Sequence, residues 1–279
     1  MHLIESPQID AIFFARGGFG STGMLSHIDY KAVARAAKLM VGYSDISALQ
    51  WAVFSRCRLP SLSAGMAATD FCAPSPNTYF EEQFWKTIES GHIDAELQGP
   101  YWPQTAPDLN QADMQNIDNA GSACRSQTTE WHTDHRAEQS AQGAITGLCL
   151  PATLSVIAKL TGTPYLPDLR GAIAVFEDVA EPRHKIEGYF WQLSHAGWFD
   201  HAKALVLGHF TPPEQETFPS VPSLQTILRR IPGTARLPLF TELAYGHIER
   251  KIPVPVGREI SLSWSPSARL TSTEPLYHP

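Results

Sequence analysis

The sequence has few cysteines, and none of them forms a recognisable motif. The chain of 279 residues contains four, which are Cys57, Cys72, Cys124 and Cys149. No two stand in a C-x-x-C pair, which argues against a zinc knuckle and against a thioredoxin-like redox pair. Scattered thiols in a chain of this length are typical of a reducing cytosol rather than of a disulfide-stapled secreted domain.

Long apolar runs and an excess of positive charge are also missing. No segment approaches the roughly 20 consecutive apolar residues that a membrane helix needs. The opening MHLIESPQID has no basic segment followed by an apolar one, so we expect no signal peptide and a cytoplasmic location. The chain has 21 Lys and Arg against 28 Asp and Glu, a net charge of -7. This balance argues against nucleic acid and against an anionic membrane as partners.

Short apolar segments alternate with helical patterns in the first hundred residues. IDAIFFA (residues 9–15) predicts a strand that ends at a glycine turn, RGGFG (residues 16–20). LMV (residues 39–41) predicts a second strand. Residues 44–54 then predict a helix, because apolar residues recur at spacings of three and four. Strands that alternate with helices indicate a parallel α/β sheet.

The composition along the chain predicts three regions. We expect an N-terminal α/β domain over residues 1–100 and a polar linker over residues 101–142. The linker has few apolar residues at any regular period. A C-terminal domain over residues 143–279 is expected to be β-rich, because its last part combines β-branched residues with prolines.

A serine stands between an apolar strand and a helix in Gly42-Tyr43-Ser44-Asp45-Ile46. A side chain at such a corner lies beside the unpaired N–H groups of the helix and can act as a nucleophile. Ile46 occupies the position of the second glycine in the usual G-x-S-x-G pattern. The local pattern therefore favours helix capping by Ser44 or Asp45 over catalysis.

A nucleophilic serine would need a base and an acid that orients the base. Glu177 and Asp178 follow an apolar strand, where functional groups gather in α/β folds, although a solvated turn is the commoner reason for such a pair. His247 follows Gly246 in a loop and competes with ten other histidines. We find no histidine spacing typical of metal ligands.

Six motifs then occur in a fixed order: ARGGFGSTGML, VGYSDISAL, AGMAATDF, LTGTPYLPDLRG, FEDVAEP and LAYGHIERKIPVPVG. Together they resemble the LD-carboxypeptidase family of serine peptidases, which also includes the microcin C immunity proteins. The resemblance covers residues 10–257, apart from a segment at about residues 73–142. It implies a flavodoxin-like N-terminal α/β domain with a parallel sheet, and a C-terminal domain built largely of β-strands.

The resemblance also assigns roles to residues. Ser44 matches the nucleophile, His247 the general base and Glu177 the acid that orients it. The oxyanion hole is implied to use the backbone amides of Asp45 and Gly18. Neither a metal nor an organic cofactor is implied.

The implied reaction is release of terminal D-alanine from murein tetrapeptides in the cytosol, by a homodimer. One alternative is an amidase that cleaves aminoacyl or peptidyl nucleotides, with Trp102, Trp131 or Trp198 as the residue that stacks on adenine. A second alternative is an inactive relative that only binds peptides.

The sequence departs from the family pattern in ways that bear on the site. The usual first strand–helix segment is missing, so we expect either a fragment or an internal start. Pro151-Ala152-Thr153-Leu154 stands where the family has Gly-Gly-Asn-Leu. Arg16, Arg183 and Lys185 are candidates, by position, for binding the substrate carboxylate.

Overall fold

A computed structural model describes residues 2–73, 77–99, 101–102, 143–213, 222–265 and 267–276. The helices are α1 (His2–Glu5), α2 (Ser21–Met24), α3 (Tyr30–Ala36), α4 (Ile46–Cys57), α5 (Thr78–Ser90), α6 (Leu154–Ala158), α7 (Arg183–His195), α8 (Leu224–Arg230) and α9 (Pro232–Ala235). A 3₁₀ turn (Leu25–His27) and a π-helical turn (Ala67–Phe71) occur as well.

The strands are short at the start of the chain and longer after the linker region. They are β1 (Ala11–Phe13), β2 (Leu39–Gly42), β3 (Ser61–Ser63), β4 (Asp94–Glu96), β5 (Tyr101–Trp102), β6 (Ala144–Thr153), β7 (Ala172–Val179), β8 (Ala204–Thr211), β9 (Leu239–Phe240), β10 (Val254–Val256), β11 (Arg258–Ser263) and β12 (Arg269–Ser272). The predicted linker lies almost wholly outside the described residues.

The first sheet has the order β1-β2-β3-β10. Strands β1, β2 and β3 are parallel, as the alternation of strands and helices predicts. Strand β10 comes from the far end of the chain and pairs antiparallel with β3. The C-terminal part of the chain therefore completes the sheet that positions Ser44.

The second sheet is mixed, with the order β4-β12-β11-β6-β7-β8-β9-β5. Its central strands β6 to β9 are parallel, and helices α6, α7 and α8 contribute buried residues to the core on one face. The β-rich prediction holds for this region, with the addition of these helices. Parallel pairing brings the carboxyl ends of β6 and β7 together, so that Thr153 and Glu177 are register partners.

Helix α4 contacts strands of both sheets. Its residue Trp51 is fully buried, and its ring centroid lies 6.3 Å from that of Phe176 on β7 and 5.1 Å from that of Trp198. The helix that begins just after Ser44 is thus packed directly against the strand that carries Glu177. No helix in the described part of the chain is both long and apolar enough to cross a bilayer.

Candidate active site

Ser44 lies on a sharp turn between β2 and α4. Its φ is +62°, in the left-handed region that residues with a Cβ rarely adopt. Gly42 makes the turn possible, because a Cβ there would approach the side chains of Phe14 and Ile46 to 3.1 and 3.2 Å. A non-glycine residue held in this strained conformation is typical of a functional position.

The capping role expected for Ser44 or Asp45 is wrong. Asp45 makes no side-chain cap to α4. Its Oδ2 instead accepts hydrogen bonds from the amide and the hydroxyl of Ser21, at 2.9 and 2.7 Å. These bonds fix the start of α4 against α2 and leave the hydroxyl of Ser44 free to make a different contact.

That contact is with His247. The Oγ of Ser44 lies 2.9 Å from Nε2 of His247, and Nδ1 of the same ring lies 2.7 Å from Oε2 of Glu177. The side chain of Glu177 is fully buried, whereas that of His247 is 19% exposed. Three residues that are far apart in sequence therefore form one hydrogen-bonded series, with the glutamate at its fully buried end.

The neighbouring acid, Asp178, has a separate role. It accepts hydrogen bonds from the amide and hydroxyl of Ser155 at 2.7 and 3.0 Å, and from the amide of Val179 at 2.9 Å. Burial raises the pKa of Asp178 to about 6, although the Ser155 and Val179 donors favour the carboxylate. The alternative of a solvated turn is wrong for both acids, since both are buried.

The glycine turn lies directly against Ser44. A Cβ at Gly17 would be 2.9 Å from Cβ of Ser44 and 3.5 Å from the amide nitrogen of Asp45. Gly18 follows with a φ of +127°. Within the described residues, the amides of Gly18 and Asp45 donate no hydrogen bond. Two free N–H groups are thus available in segments that meet at Ser44.

A buried ionic group supports the site from the other side. Lys251 pairs with Asp70 and donates to the hydroxyl of Tyr43 at 3.0 Å. The Tyr43 ring centroid lies 4.9 Å from that of His247. Burial raises the pKa of Tyr43, although the charge of Lys251 lowers it. Local sequence patterns did not identify this group, although its three members lie within three of the six ordered motifs.

The three residues that were candidates for binding the substrate carboxylate have different surroundings. Arg16 is exposed, and Lys185 forms an ion pair with Glu181 at 3.5 Å. Arg183 lines a small cavity together with Asp178. In the described ranges, no group of three or more His, Cys, Asp or Glu side chains is placed to hold a metal ion.

Of the tryptophans considered for stacking, Trp198 is partly buried and packs against the core. Its indole donates to the carbonyl of Pro167 at 3.0 Å, and its ring stacks on Phe176 with centroids 6.3 Å apart. The side chain of Trp102 and all of Trp131 lie outside the described residues.

This arrangement is chemically competent for acyl transfer. A neutral imidazole that donates from Nδ1 to a carboxylate presents a lone pair at Nε2, which can accept the proton of a serine hydroxyl. A buried carboxylate stabilises the imidazolium that results. Free amides next to the serine can bind the negative charge that develops on a carbonyl oxygen.

Relatives of known sequence carry carboxypeptidase and immunity-protein names. A putative carboxypeptidase of Streptomyces coelicolor is 29% identical over 254 residues, which cover 90% of this chain and 68% of that protein. The murein tetrapeptide carboxypeptidase of Pseudomonas aeruginosa is 28% identical, over 91% of this chain and 72% of its own length. The microcin C7 self-immunity protein of Escherichia coli is 22% identical, over 94% and 73%.

Solved structures share the fold. The muramoyltetrapeptide carboxypeptidase from Oxalobacter formigenes superposes with a TM-score of 0.76 at 23% identity, and the match covers 98% of this chain and 82% of that one. Two family models also match the chain, each over a different part. The LD-carboxypeptidase N-terminal domain matches residues 1–64, and the LD-carboxypeptidase C-terminal domain matches residues 146–262. The chain therefore belongs to the LD-carboxypeptidase family.

Proposed function

We propose that this chain is a serine carboxypeptidase that releases the terminal D-alanine of murein tetrapeptides, with Ser44, His247 and Glu177 as its catalytic triad. The single observation that carries this proposal is the series of hydrogen bonds from Ser44 Oγ to His247 Nε2 and from Nδ1 to Glu177 Oε2. The choice of a murein tetrapeptide as substrate is supported by the similarity to the murein tetrapeptide carboxypeptidase of Pseudomonas aeruginosa.

The first half of the proposed mechanism forms an acyl-enzyme. Ser44 Oγ attacks the carbonyl carbon of the amide before D-alanine, while His247 Nε2 takes the hydroxyl proton. The amides of Asp45 and Gly18 donate to the oxyanion of the tetrahedral intermediate. His247 then returns the proton to the leaving nitrogen, the C–N bond breaks, and D-alanine departs with a free amino group.

The second half restores the enzyme. Water attacks the ester on Ser44 and gives a proton to His247. As the new intermediate collapses, the C–O bond to Ser44 breaks, His247 returns the proton to Ser44 Oγ, and the tripeptide leaves with a free carboxyl group. Glu177 accepts the hydrogen bond from Nδ1 and stabilises the imidazolium in both halves. The whole cycle consumes one water and breaks one amide bond.

The decisive experiment follows D-alanine release from a murein tetrapeptide by the purified chain. We expect release by the wild-type chain and a loss of at least ~1000-fold with Ser44→Ala, because the residual rate then depends on binding and the oxyanion donors alone. A matched control is Ser55→Ala, which changes a partly exposed serine on α4 whose hydroxyl donates to the carbonyl of Pro164. Full activity of Ser44→Ala would overturn the triad.

A second substrate class should be tested in the same assay, because the alignment with the microcin C7 self-immunity protein covers 94% of this chain. An aminoacyl or peptidyl nucleotide would use the same triad but would need a surface for the base. Cleavage of the conjugate but not of the tetrapeptide would assign the amidase function. Cleavage of neither would favour the inactive peptide-binding relative.

Two further expectations belong to this proposal. Murein fragments are trimmed in the cytosol during recycling, so we place the reaction there and propose a homodimer as the working form. The division into domains at residues 100 and 143 is likewise proposed. A single sedimentation-velocity experiment distinguishes a dimer of this 30.8 kDa chain from a monomer.

A further inference from the structure

Thr153 makes a hydrogen bond that the proposed mechanism does not use. Its hydroxyl donates to Oε1 of Glu177, the carboxylate oxygen that faces away from His247. Both residues are buried, with Thr153 3% and Glu177 0% exposed. The two oxygens of Glu177 are therefore divided between two donors, the hydroxyl of Thr153 and the imidazole N–H of His247.

The place of this hydroxyl is set by the sheet. Thr153 is the last residue of β6 and the register partner of Glu177 on β7. A β-branched side chain has few χ1 rotamers, so a threonine on a paired strand holds its hydroxyl in a narrow range of directions. A glutamate carboxylate, in contrast, rotates readily about its last bond unless its oxygens are held.

The same end of β6 is fixed to the helix that begins after Ser44. The amide of Thr153 donates to Oγ of Ser47 at 3.3 Å, and the indole of Trp51 donates to the carbonyl of Pro151 at 2.8 Å. Ser47 and Trp51 are fully buried and one turn apart on α4. Thr153 is thus positioned relative to Ser44 through α4 and relative to Glu177 through its hydroxyl.

We propose that Thr153 is a positioning residue, whose hydroxyl fixes the rotation of the Glu177 carboxylate so that Oε2 faces Nδ1 of His247. A hydroxyl that donates to a carboxylate makes one of the stronger hydrogen bonds in proteins. Without it, Oε1 would be buried and unpaired, and the carboxylate would turn toward other donors. This inference rests on the proposed function, in which Glu177 orients the base.

The kinetic test uses Thr153→Val, which keeps the shape of the side chain and removes the hydroxyl. We expect kcat for D-alanine release to fall about 10- to 100-fold, as for loss of one bond to a charged group, with KM changed less than about twofold. Thr153→Ser keeps the donor and should retain most of kcat. Ser55→Ala, which removes a hydroxyl bonded to the carbonyl of Pro164, should stay within about twofold.

A double-mutant cycle separates positioning from general structural damage. In a Glu177→Ala background there is no carboxylate to hold, so Thr153→Val should change the residual kcat less than about twofold. An equal loss in both backgrounds would assign Thr153 a structural role and overturn the proposal. Wild-type kcat in Thr153→Val would overturn it as well.

A spectroscopic test needs no substrate. The Nδ1 proton of His247 should give a resolved low-field NMR resonance, and its exchange with water should be faster in Thr153→Val but unchanged in Thr153→Ser. If the wild-type chain releases no D-alanine, the proposed function fails, and this resonance still decides the role of Thr153. Equal exchange rates in all three proteins would rule out the positioning role.

Discussion

Gly246 and Glu177 are in such close contact that a side chain at residue 246 has no space. A Cβ on Gly246 would lie 2.9 Å from Oε2 and 3.0 Å from Cβ of Glu177. The φ of Gly246 is +126°, which L side chains rarely adopt. The loop that carries His247 can therefore approach the buried carboxylate only because residue 246 is glycine.

This contact makes Gly246→Ala a sensitive probe of the Glu177–His247 hydrogen bond. We expect the added methyl group to displace the carboxylate and to lower kcat/KM at least ~10-fold, the scale for disturbing one bond to a charged group. The strained φ should in addition lower the free energy of unfolding by about 1–3 kcal/mol. Steady-state kinetics and urea unfolding measure the two effects.

Gly162→Ala is the matched control for that experiment. Gly162 has a φ of +82°, and a Cβ there would meet no atom within 4 Å. The Gly162→Ala variant should therefore lose stability through backbone strain alone and keep its kcat/KM. Equal kinetics in the two variants would show that the contact between Gly246 and Glu177 does not matter for the reaction.

The ion pair of Lys251 with Asp70 leads to a prediction about stability. Both side chains are largely buried, at 9% and 11% exposure. Lys251→Met should lower the free energy of unfolding by about 3–5 kcal/mol, because it leaves the carboxylate of Asp70 buried without its partner. The hydroxyl of Tyr43, beside His247, would lose its donor in the same variant.

An exposed ion pair on the second sheet provides the comparison. Arg269 and Asp94 pair with side chains that are 40% and 52% exposed. Arg269→Met should change the free energy of unfolding by no more than about 1 kcal/mol, since solvent screens exposed pairs. Similar losses in the two methionine variants, measured by urea unfolding, would contradict the buried-pair interpretation.

The sequence predicted the local elements well where apolar periodicity was strong. The helix expected over residues 44–54 forms as Ile46–Cys57. The apolar strand expected before Glu177 forms as Ala172–Val179 and includes Glu177 itself. The strand expected over residues 9–15 is shorter, at Ala11–Phe13. Phe14 leaves the strand to pack beside Gly42, a tertiary contact that no local pattern encodes.

Contacts between distant segments were beyond a sequence reading. The partners of Ser44 became identifiable only through the ordered family motifs, since local patterns favoured capping. Thr153 was visible only as a departure from a motif, because its bond to Glu177 depends on the pairing of β6 with β7. The pairing of β10 with β3 is also a long-range contact, and strand propensity does not specify a partner.

The raised pKa of Asp178 predicts a dependence of stability on pH. Its folded pKa is about 6, against an ordinary value of 3.8 for an exposed aspartate. The folded state thus binds this proton more tightly than the unfolded state. Protonation of Asp178 therefore contributes fully to the free energy of unfolding below the unfolded pKa, and this contribution is lost as pH rises through the folded pKa. The difference arises mainly from burial.

Asp178→Asn isolates this contribution, because other titrating groups cancel in the comparison. The free energy of unfolding of the wild-type chain relative to Asp178→Asn should rise by about 1 kcal/mol between about pH 7.5 and about pH 5. Urea unfolding at the two pH values measures it. A difference that stays constant, or that falls at the lower pH, would show that the donors from Ser155 and Val179 outweigh burial.

Two substitutions at the strained turn of Ser44 should differ in stability although both abolish the proposed activity. A residue with a Cβ at a φ of +62° is destabilised by roughly 1–2 kcal/mol relative to the right-handed region, and glycine avoids this cost. Ser44→Gly should therefore be more stable than Ser44→Ala by about 1 kcal/mol. Both variants lack the hydroxyl, so both should lose D-alanine release.

Thermal and urea unfolding of the two variants and the wild-type chain measure this difference directly. The two variants differ only at residue 44, so the comparison reports on the turn alone. If Ser44→Gly were the less stable variant, the left-handed backbone at residue 44 would not be strained in the folded chain. If it is the more stable one, the position holds a serine against the preference of its own backbone, which is the expected signature of a residue selected for its hydroxyl.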